Sequence, residues 1–329
     1  MHDGGDGGEE MGGDATGVGI MKFVFNTTRT YSGGNVALRE LCRRLGKRGH
    51  DARIISDYTF DDLAHPTNRA VLVWKSLLGI GRDFAKWGLV KLGMRDDPFA
   101  SQKCRKKHIP FVDKDTVVIY QEGVYGNPFH AKKVVRWFLF HNRYPNDPDA
   151  YKPCDLIFSF REFFNDYQLN PTCRLLSLNH FNSQLYRQTN FGERSGKCYF
   201  IHKGWTRPDL PKEFDGPVID YLSEKKKVEV LNRCKYFYTY DTQTFYSIIA
   251  SVCGCISIIV MEPGKTKKDY RGEGDDTDGF AYGDSPEEIE RALRTRDAMF
   301  KRLDYEASNE KAVDFFLQEV EKRFGPSGR

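Results

Sequence analysis

Three stretches of this 329-residue chain hold groups that could bind an anion or move a proton. The first is Ser32-Gly33-Gly34-Asn35, set between an apolar run at 21–26 and a segment of helical spacing. In an open α/β sheet such a turn lies at the carboxyl edge. Its glycines let a ligand approach the backbone there, and the helix start favours phosphate. The same glycines also suit a turn without a ligand, and the spacing is not the GxGxxG of a dinucleotide site. The second stretch, residues 236–254, runs from a strand pattern through Asp241-Thr242-Gln243-Thr244 into a helical pattern. Free N–H groups at that helix start, with the hydroxyls of Thr242 and Thr244, would suit a diphosphate; an Asp/Thr cap is the plainer alternative. The third, residues 121–128 (QEGVYGNP), sets Glu122 at the end of an apolar run, where it could act as a base or orient a hydroxyl. His141, after 138–140, holds a comparable place, and for both the alternative is a hydrogen-bonded structural role.

A metal is not implied. Asp-x-Asp, a triplet that can hold a divalent metal, occurs at Asp113/Asp115, Asp147/Asp149 and Asp276/Asp278. The first precedes its strand instead of ending it, the others fall in polar loops, and three such triplets among 46 acidic residues are near chance. No cofactor is expected.

The elements that must position these groups follow from periodicity. Residues 21–26 and 52–56 read as buried strands around a helix carrying Val36, Leu38, Leu41 and Leu45, which makes a βαβ unit. Further strands are expected at 116–120, 155–160 and 175–178. Asn127-Pro128 reads as a cap and first position of a helix running through 131–138. After the turn cluster at 190–196 the pattern restarts, with strands at 197–201, 217–222, 236–240 and 255–260. Helices are expected at 225–234, 244–253, 285–295 and 309–323. Two βα-repeating halves give an α/β chain of two doubly wound domains. Residues 68–107 mix Val71, Trp74, Leu77, Leu78, Phe84 and Trp87 with Lys75, Arg82, Lys86, Lys91 and Arg95. That mixture fits helices packed on the first sheet, and it fits a peripheral membrane contact with anionic lipid or a lipid-linked acceptor.

Composition sets the limits. Hydrophobic residues are 40% and charged residues 29%, ordinary for two globular cores. The formal charge of +4 is small for this length and argues against a nucleic-acid partner. The Gly-rich acidic start, residues 1–19, reads as a disordered tail and not as a signal peptide, and no stretch reaches the length of a membrane span. Eight cysteines without a CxxC pair read as buried reduced thiols of a cytoplasmic protein.

The chain resembles the GT-B glycosyltransferases, in particular glycosyltransferase family 4 of glycan and polysaccharide biosynthesis. Gly33, Gly34, Leu41, Leu45, Gly49 and His50 match the family's first turn and helix; Tyr240, Asp241, Ala250, Cys253 and Gly254 match its late segment. The resemblance implies two Rossmann-like domains facing across a cleft, a nucleotide-sugar donor, a glycan or lipid-linked acceptor, no metal, and retention of anomeric configuration. It implies that Asp241 approaches the donor sugar, that Thr242, Gln243 and Thr244 hold diphosphate or sugar, and that Lys203, with Arg207 second, faces the diphosphate. The motifs are specific around 31–50 and 236–260. The family's ribose-binding Glu falls on Ile249, which leaves three alternatives: another ribose contact, an unusual donor, or a site without activity.

The expected layout is a tail at 1–19, an acceptor domain at 20–192, a donor domain at 193–308, and a last helix at 309–329 crossing back to the first. The expected function is metal-independent transfer from a nucleotide-diphosphate sugar, in the cytoplasm or at the cytosolic face of a membrane. The alternatives are a non-catalytic glycan- or nucleotide-binding protein and a sugar-nucleotide epimerase.

Overall fold

The computed structural model describes residues 19–28, 32–92, 97, 99, 101–108, 110–270 and 277–325. The expectations placed on residues 1–18, on Arg95 and on Asp276 lie outside the described residues.

The first sheet begins as the βαβ unit its periodicity implies. β1 (Lys22–Asn26) and β2 (Asp51–Ile55) pair in parallel around α1 (Gly33–Lys47). Ser32 caps α1 by accepting from the N–H of Asn35, and Ala37, Leu38, Leu41, Cys42 and Leu45 bury its inner face. Gly49, at φ +87°, takes the left-handed turn that leads into β2. After α2 (Arg69–Lys91) come β3 (Arg105–Lys106), β4 (Thr116–Gln121), β5 (Lys133–Phe138) and β6 (Leu156–Ser159). The spatial order is β3-β2-β1-β4-β5-β6, all parallel, so the order reverses between β1 and β4.

The helix expected over 127–138 is a turn followed by β5. Asn127 does not cap a helix; its Oδ1 accepts from the N–H of Ala131 at 3.0 Å and its Nδ2 donates to the carbonyl of Ala131 at 2.8 Å, closing a loop. The sequence KVVRWF, β-branched and aromatic, then fills a slot between β4 and β6. The expected strand at 175–178 is reduced to one bridge, Leu175 beside Ser159.

The second unit holds β7 (Ser195–Phe200), α3 (Glu224–Arg233), β8 (Cys234–Thr239), α4 (Tyr246–Val252), β9 (Ile256–Ile259), β10 (Ala281–Tyr282), α5 (Pro286–Arg294) and α6 (Arg296–Arg302). Its strands run parallel in the order β10-β9-β8-β7. The expected strand at 217–222 is a single bridge from Val218 to Tyr199, on the side of β7 away from β8. That bridge gives β7 a later segment on each flank, so the order reverses here as it does at β1. The chain therefore has the expected α/β architecture of two parallel-sheet units, with Rossmann-like order in both halves.

α7 (Glu306–Phe324) packs Val313, Phe316 and Val320 into the core of the first sheet. Arg44 of α1 and Arg48 at its C-cap bind Glu306, Glu310 and Asp314 of α7. The buried Asn309 accepts from the N–H of Asn179 at 3.0 Å and donates to its carbonyl at 2.7 Å, tying α7 to the connection between the units. All eight cysteines are free thiols. Five are buried, whereas Cys104 and Cys173 are partly exposed and Cys154 is exposed.

Candidate functional site

In a parallel sheet with an order reversal, the loops leaving the carboxyl ends at that point diverge and open a crevice. The candidate residues fall at two such edges, and the edges are built differently.

At the β1/β4 edge Gly33 faces open space, while Gly34 is a packing residue: a Cβ there would lie 3.2 Å from Cδ1 of Leu139. Asn35 is buried and clamps its own loop, accepting from the N–H of Thr28 at 3.0 Å and donating to Oγ1 of Thr28 at 2.6 Å. Glu122 is turned inward. It accepts from the N–H of Leu139 at 3.0 Å, and burial pushes its carboxyl above the ordinary value. Arg136, fully buried, fixes the loop after β4 by binding Asp155 at 2.9 Å and the carbonyls of Val124 and Gly126. His141 is exposed among the rings of Phe140, Phe163 and Phe164, with centroids 4.8–5.1 Å away. At the end of β1 the buried amide Nδ2 of Asn26 has no hydrogen-bond partner.

At the β7/β8 edge the chain leaves β7 through a short turn, His202–Thr206. His202 sits at φ +41°, a backbone region that costs a non-glycine residue roughly 1–3 kcal/mol. The carboxylate of Asp220, at the end of the bridging segment, offsets this by accepting from the N–H groups of Ile201 at 3.0 Å and His202 at 2.5 Å. Gly204 lets the turn press onto β8's exit, since a Cβ there would lie 2.7 Å from Cβ and 2.8 Å from the carbonyl oxygen of Tyr240. The result is one defined contact: Nδ1 of His202 stands 2.7 Å from Oδ2 of Asp241. Asp241 is buried, and the His202 side chain is 56% exposed. A carboxylate only accepts, so Nδ1 carries the proton and Nε2 is left for a ligand. The imidazole stacks on Phe200 with centroids 5.6 Å apart. Lys203, exposed beside it, has no protein partner among the described residues.

Several expected donor contacts are corrected by this geometry. Arg207 is committed elsewhere: it binds both oxygens of Asp209 and the carbonyls of Tyr240 and Val260, so it is a strut between β8 and β9 exits. The helix start after Asp241 does not offer a row of free N–H groups. Gln243 donates to Oδ1 of Asp241, Tyr246 to Oγ1 of Thr244, Ser247 to the carbonyl of Thr244 and Ile248 to that of Phe245. The Thr244 hydroxyl is thus taken up by the backbone just ahead of α4, whose cap position is Phe245, and Gln243 reaches across to the carbonyl of Tyr270 at 2.9 Å. Thr242 is partly exposed next to the pair. Ile249 is 3% exposed and packs in the core of the second unit with Phe200, Phe237 and Ala250, so this position faces away from the crevice.

The residues the sequence did not single out are His202 and Asp220. The resemblance pointed to the neighbouring Lys203, but the left-handed backbone that turns His202 toward Asp241 has no signature in residue type.

Of the described residues, one group has three donors close enough for a metal: Asp57, Asp83 and His108. It lies beneath α2, where Lys106 already binds Asp83 and the imidazole reaches Asp57 through Nδ1 at 3.2 Å. A cavity of about 790 Å³ opens between the C-terminal half of α1, the connection around 179–188 and the α6–α7 junction. The end of α4 also lines it, through Val252, which places it at the amino edge of the second sheet, opposite the His202–Asp241 pair.

No protein-family model matches the chain, and no curated protein matches it. Among solved structures, the glycotransferase of kitacinnamycin is similar at 12% identity and a TM-score of 0.32, over 94% of this chain and 96% of that one. The glycosyltransferase SnogD from Streptomyces nogalater is similar at 10% identity and a TM-score of 0.27, over 94% of this chain and 97% of that one. At those TM-scores the likeness carries no argument about the site.

Proposed function

We propose that the chain transfers a glycosyl group from a nucleotide-diphosphate sugar to a hydroxyl of a glycan or lipid-linked acceptor. The observation that carries this reading is the His202–Asp241 pair, held in a strained turn at the β7/β8 reversal beside Lys203, which has no partner among the described residues. A departing nucleoside diphosphate develops negative charge, and a preorganised ammonium and ring N–H stabilise it without a metal. Asp241 holds the His202 ring through Nδ1–H, and Nε2 of the protonated ring is the donor toward the phosphate oxygen. Asp241 is then a positioning residue, and His202 is the group that meets the donor. Thr242 lies beside the pair for a further hydroxyl contact. The β1/β4 edge presents the acceptor, with the Asn26 amide as the donor group available to it. The reading keeps transfer with retention, as the resemblance implies.

Thermal denaturation with UDP-, GDP-, dTDP- and CMP-sugars, with and without EDTA, tests the reading. One nucleotide class should raise Tm, by an amount corresponding to about 2.7 kcal/mol at a hundredfold excess over Kd. EDTA should leave the shift unchanged, and His202→Ala should abolish it. If no nucleotide sugar stabilises the chain, the reading is lost.

The core position of Ile249 favours a second reading, a nucleotide-sugar binder without turnover. Donor hydrolysis separates the two, because a pure binder protects the donor and a transferase slowly hydrolyses it when no acceptor is present.

A further inference from the structure

We infer that α2 docks the protein on an anionic lipid surface. The helix is mounted with its polarity inverted. Its inner row, Leu72, Ser76, Gly79 and Asp83, is held mainly by polar contacts. The hydroxyl of Tyr58 donates to the carbonyl of Leu72 and lies 2.7 Å from Oγ of Ser76, Gly79 lies against Asp57, and Lys106 binds Asp83. These ties fix which face points out.

The outward row at helical spacing runs through 70, 74, 77, 78, 81, 85 and 88, and it contains no charged or polar side chain. Trp74 is 62% exposed, and Leu77 and Leu78 are each 49% exposed. Phe84 and Trp87 extend the apolar strip and touch each other with centroids 6.0 Å apart. A strip of this kind on a soluble surface marks a covered face. Over 23 residues it is about 35 Å long.

The charges flanking the strip select the occupant. Lys75, Arg82 and Lys86 form a row along one side, where Lys75 also pairs with Asp62 and Lys86 with Asp97; Arg69 and Lys91 stand at the ends, and the single acid of the helix, Asp83, points inward. An amphipathic helix with aromatic and leucine residues on one face and lysine and arginine at its borders lies in the plane of an anionic bilayer. The two exposed tryptophans suit the headgroup level, where an indole has one apolar side and one wet N–H. None of the helices is long and apolar enough to cross a membrane among the described residues, so the contact is peripheral. This inference does not depend on the reaction assigned above.

Co-flotation of the full chain with phosphatidylcholine vesicles, and with the same vesicles containing phosphatidylglycerol, tests it. The wild type should float with the anionic vesicles, with a blue shift of tryptophan emission, and should detach at high salt. Leu78→Glu and the pair Arg82→Glu/Lys86→Glu should each weaken binding at least about tenfold. Because these side chains lie outside the core, their unfolding curves should match the wild type. A wild type that stays in solution with anionic vesicles overturns the inference. So does a concentration-dependent dimer that Leu78→Glu dissociates, since a second copy would then cover the strip.

Discussion

At the end of β4 the carboxylate of Glu122 turns inward onto the N–H of Leu139, whereas at the end of β8 that of Asp241 turns onto an exposed imidazole. Both edges come from the same reversal of strand order, yet they spend their polar groups differently. At the first, Asn35 clamps its own loop, Gly34 packs on Leu139 and Arg136 is consumed by Asp155 and two carbonyls. At the second, Asp220 and Gly204 serve to hold a strained histidine against a buried carboxylate while leaving its other nitrogen open. On the function proposed above, the edge that holds His202 at φ +41° is the one that reacts and the other receives the acceptor.

The comparison can be broken first at Arg136. Its replacement by alanine leaves the buried Asp155 carboxylate unpaired and two carbonyls unsatisfied. Chemical denaturation should show a loss of about 3–5 kcal/mol. A loss below 1 kcal/mol, by the same estimate for exposed pairs, would mean the first edge is not built for stability. Gly204→Ala comes next. The new methyl meets the Tyr240 backbone, and overpacking of this kind costs about 1–3 kcal/mol. The same variant should lose nucleotide-induced stabilisation, because His202 is pushed off Asp241; unchanged ligand response would separate the turn from the site.

Glu122→Gln gives the smallest effect and the sharpest sign. Burial raises the folded-state value above the ordinary 4.5, so the wild type has its full Glu122 contribution below pH 4.5 and loses it as pH rises through the raised value. Glutamine does not titrate and can still accept from Leu139. The variant should therefore be the more stable form at neutral pH, with the two curves converging in acid. A variant less stable at neutral pH would assign Glu122 a role as a needed anion.

Much of this fold was legible because buried parallel strands and an amphipathic α1 have strong periodicity. Residues 21–26, 116–120 and 255–260 each read as strands from apolar runs alone, and β1, β4 and β9 fall there. The stretch 127–138 misled because Asn-Pro is a cap in helices and a loop closure elsewhere, and the choice was made by β4 and β6 on either side. At the site, Asp241 could be picked out by its place after a strand. Arg207 could not be seen as a strut, nor His202 as the exposed partner, because both roles depend on which backbone atoms come within reach after the sheet forms. The exposed row of α2 was likewise ambiguous in sequence: the same residues fit a buried helix until Tyr58, Asp57 and Lys106 set its orientation.

The central claim is that chemistry belongs to the β7/β8 edge and to His202 as held by Asp241. Initial rates of donor turnover, using the nucleotide sugar that stabilises the chain, test it most directly across the wild type, His202→Ala, Asp241→Asn and Glu122→Gln. The account predicts a fall of about 10²–10⁴-fold in the first two variants and a rate within a few-fold of wild type in the third. Wild-type turnover in His202→Ala, with the loss appearing instead in Glu122→Gln, would contradict it.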